Sequence, residues 1–177
     1  SLVTRSGDGL VVHPLVAELV RAHQGQDAPE HAAVAVRLLY RLMSVSQGLA
    51  SAPLAALTEQ LMPHVLAATG YASQVGADTL HTTWLLARAA LARMDIGQFG
   101  AARGLLKQAD AQGVGKLSDD DLLPLTLATG RLLTEDGRPD DAVPELRGAL
   151  QAATRVLGAN DEFTLSVRFQ LAESLRG

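Results

Sequence analysis

The side chains best suited to metal binding or proton transfer in this 177-residue chain are five histidines, His13, His23, His31, His64 and His81. A helical zinc site needs ligands three or four residues apart on one face, and no two of these histidines have that spacing. Cysteine is absent, which removes thiolate metal sites, cysteine nucleophiles and disulfides together. No metal and no other cofactor is therefore expected, and His13 and His64 read as structural, their polar tips bonded to backbone at helix starts or joins. Asp119, Asp120 and Asp121 could suggest a cation site. Consecutive helical residues diverge by about 100°, so the three carboxylates cannot all face one ion. Following Ser118, they read instead as an N-cap and acidic first turn that satisfy free amides and the helix dipole. Asp140 with Asp141, and Asp161 with Glu162, read the same way. Neither Gly-x-x-x-x-Gly-Lys-Ser/Thr nor Gly-x-Ser-x-Gly occurs, and Ser6 to Gly9 is a hairpin turn rather than a phosphate cradle. No catalytic activity is expected of this segment.

The totals narrow the partners. With 15 basic and 19 acidic residues the net charge is −4, and no basic cluster stands out that would neutralise phosphates, so no direct nucleic-acid contact is expected. No apolar run reaches the roughly 18 residues needed to span a bilayer, and no signal-peptide pattern is present. A cytoplasmic protein without membrane contact is the expectation. The chain is 47% hydrophobic but only 3% aromatic, so its core must be built from Leu, Ala and Val. Ala and Leu are strong helix formers, and strand-favouring residues are scarce, which predicts an all-α fold.

The elements follow from periodicity. Residues 1–13 carry two short Leu/Val-rich runs about a Gly/Asp turn, a hairpin signal that leads into an amphipathic helix with Leu15, Val16, Leu19 and Val20. Residues 25–30 and 47–53 read as breaks. Between them lies a helix apolar at Val34, Leu38, Leu39, Leu42, Met43 and Val45; beyond them Leu54, Leu57, Leu61, Val65 and Leu66 form a stripe that Pro63 should bend or interrupt. From Gly76 the rhythm becomes regular, with helices expected over 77–96, 98–112, 119–136, 139–157 and 161–176. The organisation expected is thus a hairpin plus helix over 1–24, linking helices or a degenerate repeat over 25–75, and repeats over 76–177.

Two segments carry the repeat. Gly97, Ala102, Leu106 and Ala109 recur as Gly137, Ala142, Leu146 and Ala149, 40 residues on, and Ala90 and Gly130 each precede the turn glycine by seven. Two helices per period of this length is the signature of helical repeat arrays. The glycine reverses the chain between paired helices, the alanines mark close crossings, and the leucine fills the space between them. Offsets of 5, 9 and 12 from the glycine lie on one helical stripe.

These residues resemble the tetratricopeptide repeat, with Phe99 at its aromatic position and Pro139 in place of it in the second copy. Ala142-Val143-Pro144-Glu145-Leu146, the Leu157-Gly158 ending, Thr164-Leu165 and Leu171-Ala172 are similar to the kinesin-light-chain type of repeat. In that register the next turn glycine would fall near position 179, so the last hairpin is expected to be half present and the chain to be a piece of a longer protein. Val12-His13-Pro14-Leu15-Val16 and Leu61-Met62-Pro63-His64-Val65 resemble the junction between a winged-helix domain and repeats in bacterial NB-ARC/STAND-type ATPases and regulators. The resemblance implies a right-handed superhelical array of helix hairpins behind a short β-hairpin, and a nucleotide-binding module upstream in the parent protein. It implies partners too: a protein or peptide in a concave groove, and the upstream NTPase module of the same chain. Counted back from the turn glycines, the groove positions are Trp84/Pro124/Ser166, Arg88/Ala128/Gln170 and Leu91/Arg131/Glu173. Trp84, Arg88, Arg131, Gln170 and Glu173 are the candidate contacts, with Trp84 as a core residue the competing assignment. The function expected is protein or peptide binding as the sensor or autoinhibitory arm of a signalling NTPase or transcription regulator; the alternative is a scaffold or homodimerisation module.

Overall fold

A computed structural model describes the backbone of residues 3–6, 9–12, 25–45 and 51–176. Strands β1 (Val3–Ser6) and β2 (Gly9–Val12) pair antiparallel, with Val3 opposite Val12 and Ser6 opposite Gly9. From Gly25 onward the described residues are all-α. A 3-10 turn at Gly25–Asp27 leads into α1 (Ala28–Val45), followed by α2 (Ser51–Val75) and α3 (Thr79–Asp95). Then come α4 (Phe99–Gly113), α5 (Leu123–Glu135), α6 (Pro139–Val156) and α7 (Glu162–Ser174). His13 and the helix expected from Leu15 to Val20 lie outside the described residues.

The repeated glycines sit where the chain reverses. Gly97 and Gly137 have φ of +73° and +71°, a left-handed conformation in which a Cβ is costly. The hydrogen bonds around them match: Gly97 N–H donates to Met94 O and Gln98 N–H to Arg93 O, while Gly137 N–H donates to Thr134 O and Arg138 N–H to Leu133 O. This is the Schellman closure, which satisfies carbonyls that the helix end would leave free.

Each helix packs against the next in sequence, and α1, α3, α5 and α7 also touch one another in succession. The odd-numbered helices therefore form one row, with α2, α4 and α6 beside it. Small residues permit the close spacing. Ala90, Ala102, Ala109, Ala142 and Ala149 are buried, Leu106 and Leu146 are buried among them, and a Cβ built on Gly130 would stand 2.6 Å from Leu146 Cδ2. Two clusters make up the core, one spanning α1 to α5 and the second joining Leu123 and Leu127 to α6 and to Val167 of α7. Ion pairs tie neighbouring hairpins together, Arg37 with Asp78 at 2.8 Å and Arg103 with Asp136 at 2.6 Å, and Arg155 of α6 holds Asp120 in the turn before α5 at 2.6 Å.

Several expectations need correction. The helix expected from residue 119 begins at Leu123, because Pro124 has no N–H to donate to the carbonyl four residues back. Residues 119–122 form a turn instead, in which Ser118 Oγ donates to Asp121 Oδ2 and accepts the Asp121 N–H. The break expected over 25–30 is shorter, since α1 already starts at Ala28 with Pro29 in its first turn. Pro63 lies within a continuous α2 rather than at a join, and His64 beside it is exposed in mid-helix, so it caps nothing. Of the apolar stripe on α1, Leu39 and Met43 are buried with Ala32, Ala33 and Val36, whereas Val34, Leu38 and Leu42 face solvent. Finally, Leu171 is only half-buried and Ala172 is exposed. Ala90 and Gly130 hold the equivalent site in α3 and α5, where the following helix covers them; among the described residues nothing covers Ala172 in that way.

Candidate functional site

The row of odd-numbered helices builds a groove of about 850 Å³. Helix α3 contributes Arg88, Leu91 and Asp95, and α5 contributes Leu127, Arg131, Thr134 and Glu135. Along α7, Glu162, Ser166, Gln170 and Glu173 repeat at helical spacing, with Leu165 and Phe169 on the adjoining stripe. Arg88, Arg131, Gln170 and Glu173 are thus brought to one cavity.

Trp84 is not. Helix α1 stacks on α3, and Tyr40 meets the Trp84 ring edge-on at 4.8 Å between centroids, so the indole is packed against the first core cluster. Its equivalents along the row, Pro124 and Ser166, have no such neighbour, and only Ser166 reaches the groove. Trp84 acts on the site at second hand: the Arg88 guanidinium lies 5.9 Å from its ring centroid, within cation–π range.

Arg88 is the unusual group. It is half-buried, and its Nε lies out of contact with solvent and without a hydrogen-bond partner. Burial pushes its pKa down, against the opposing fields of Asp95 and Glu162. The Nε is beyond a ligand's reach, but Arg88 lines the groove and its Nη groups are free of hydrogen bonds to the protein, so a carboxylate or peptide carbonyl arriving here could bond them. The other basic residue is already engaged: Arg131 Nη1 bonds Asp95 Oδ1 at 2.7 Å, joining α5 to α3 across the rim. Glu173 is paired with Arg176. Asp95, Glu135, Glu162 and Glu173 make the rim acidic around the one recessed cation. The hydroxyls of Ser166 and Thr134 donate to carbonyls of their own helices, Glu162 O and Gly130 O, both at 2.9 Å.

Sequence reasoning missed three groups here. Phe169 is 66% exposed although the chain has only three phenylalanines, and Leu165 beside it is 46% exposed. Their i, i+4 spacing was visible, but apolar residues at helical spacing read as a core stripe. The third lies at the start of α3. Asp78 has φ of +41° and caps the helix by accepting the His81 N–H, while its carboxylate bonds His81 Nδ1 at 2.7 Å and Arg37 Nε at 2.8 Å. Partial burial would raise the Asp78 pKa, but the side-chain and backbone bonds from His81, its charge and Arg37 together carry it below the usual carboxylate value. The His81 ring in turn meets Tyr40 edge-on at 4.4 Å. Among the described residues no group of three or more His, Asp or Glu side chains is placed to hold a metal ion, and no helix is long and apolar enough to cross a membrane.

Comparison with protein families, curated proteins and solved structures finds no match to this chain. Its function must be argued from its own geometry.

Proposed function

We propose that this chain is a non-catalytic, tetratricopeptide-like array of helix hairpins, wound as a right-handed superhelix, that binds a protein or peptide segment in the groove of α3, α5 and α7. The observation that carries this reading is Arg88: a half-buried guanidinium without a hydrogen bond to the protein that lines one cavity with Gln170, Leu91 and Leu127. Apolar walls with a few convergent polar groups are what a ligand site requires. In the parent protein the array would serve as the sensor or autoinhibitory arm of a signalling NTPase or transcription regulator, as the resemblance implies.

The test is selection from a random peptide display library on the immobilised chain, followed by titration of the enriched peptides. Arg88→Ala should weaken them about tenfold or more, since a charge-assisted hydrogen bond contributes roughly 1.5–3 kcal/mol. Peptides that bind Arg88→Ala and Gln170→Ala unchanged would remove the groove from consideration. The regulatory role is tested by adding the chain in trans to the parent's NTPase module, where unchanged nucleotide turnover and assembly would count against it. A second reading, self-association, is favoured by the exposed Val34, Leu38 and Leu42 on one face of α1. A light-scattering mass that stays monomeric over a range of concentrations would leave it without support.

A further inference from the structure

One face of α7 is out of keeping with the rest of the array. In the register that aligns Leu85, Leu125 and Val167, all buried, the stripe Thr83–Ala87–Ala90 of α3 matches Leu123–Leu127–Gly130 of α5 and Leu165–Phe169–Ala172 of α7. The first two stripes are buried. In the third, Leu165 is 46% and Phe169 66% exposed, and Ala172 is exposed as well.

What covers the first two is on view. Helix α4 lies over the α3 stripe, close enough that a Cβ on Gly113 would stand 2.9 Å from Thr83 Cγ2. Helix α6 lies over the α5 stripe, with Leu146 against Gly130. Each covering helix runs antiparallel to the one beneath and presents small, Leu, small at offsets of zero, four and seven: Ala102, Leu106, Ala109 and Ala142, Leu146, Ala149, all buried. In the second pair the leucine lies against a small residue below, Leu146 on Gly130, and Leu106 and Ala90 hold the same repeat positions in the first.

We propose that Leu165, Phe169 and Ala172 form a docking face for one more amphipathic α-helix, antiparallel to α7, carrying that same small–leucine–small stripe with its leucine over Ala172. An exposed aromatic flanked by a leucine and an alanine at i, i+4, i+7 spacing is a helix-receiving surface in its own right. The two internal precedents define the occupant: a helix with side chains small enough at its crossings to admit Phe169. A second copy of α7 would bring Leu and Phe to positions where both precedents bring alanine and leucine. A helix seated here would also wall the groove on its α7 side, because Leu165 and Phe169 line both surfaces.

The test uses a synthetic peptide with the sequence of residues 137–157, which carries Ala142, Leu146 and Ala149, added in trans to the 177-residue chain. Saturable one-to-one binding with a gain in helical circular dichroism is expected. Phe169→Asp should weaken binding at least tenfold, and Ala172→Trp, which fills the leucine's seat, should do the same. Both positions are exposed, so the variants keep the parent's spectrum and unfolding midpoint. Arg88→Ala should leave peptide binding unchanged, which separates this inference from the groove reading. Since short isolated helices are marginal in water, a second arm appends the sequence of residues 136–157 directly after Gly177, in the repeat register. The extended chain should unfold in one transition at a higher urea midpoint, and Phe169→Asp should abolish the rise. The proposal is overturned if neither arm shows an effect, or if the effects survive Phe169→Asp. It is equally overturned if the chain alone dimerises and Phe169→Asp makes it monomeric, since the occupant would then be a second copy.

Discussion

Replacing Gly130 by alanine separates two effects that oppose each other at one atom. In a helix interior, alanine is favoured over glycine by about 1 kcal/mol. At Gly130 the added Cβ would lie 2.6 Å from Leu146 Cδ2 and 2.7 Å from its Cγ, inside van der Waals contact. Leu146 is fully buried, and the short contact reaches its Cγ as well as a terminal methyl, so rotation of the methyls alone does not relieve it. Overpacking of this kind costs about 1–3 kcal/mol. Gly104 and Gly148 are exposed helical glycines with nothing within 4 Å of a built Cβ, so they report the propensity gain alone. Gly104→Ala and Gly148→Ala should therefore each stabilise by roughly 0.5–1 kcal/mol, and Gly130→Ala should fall about 1–3 kcal/mol below them. Leu146→Ala removes the clash partner at its own cost of about 2–5 kcal/mol. In that background Gly130→Ala should become stabilising, for a coupling of about 1–3 kcal/mol. Urea unfolding followed at the helical circular-dichroism band measures all five variants. If Gly130→Ala matches Gly104→Ala, or if the coupling vanishes, close packing of α5 on α6 is not what the glycine serves.

Other perturbations follow from the same geometry. Gly97→Ala and Gly137→Ala place a Cβ in the left-handed region and should each destabilise by about 1–2 kcal/mol, read from urea midpoints. Asp78 has a folded pKa below its unfolded value near 3.8, so its contribution is present above that pH and lost as the pH falls through the folded pKa. Asp78→Asn keeps an N-cap and a residue tolerant of positive φ; it should be less stable than the parent at neutral pH, with the gap closing below about pH 4. A gap that persists unchanged into acid would assign the loss to something other than the carboxylate. The Arg131–Asp95 pair is largely solvated on the Asp95 side, at 62% exposure, so a double-mutant cycle should find less than about 1 kcal/mol, shrinking with added salt. A larger, salt-insensitive coupling would contradict its place at the rim.

Much of the fold was legible in local patterns. The turn glycines were marked by their spacing, because a reversal between two helices needs a left-handed residue and glycine occupies that region most cheaply. The buried alanines and leucines at 102, 106 and 109 and at 142, 146 and 149 were marked in the same way, because one helical stripe must face its partner. The groove was legible in part. Counting from the glycines reached Arg88, Arg131, Gln170 and Glu173, since residues one repeat apart lie side by side in a row of stacked helices. Trp84 was ambiguous for a physical reason: its fate depends on Tyr40, some forty residues earlier, and periodicity says nothing of cross-helix partners.

The sequence by itself determined the helical class, the reversal points and the stripe each paired helix buries, since backbone propensity and side-chain period are properties of neighbours in the chain. Tertiary structure alone decided which apolar residues stay uncovered, such as Phe169 and Leu38, and which buried donor lacks a hydrogen bond, the Nε of Arg88. Burial and pairing depend on what another helix brings to within a few ångströms.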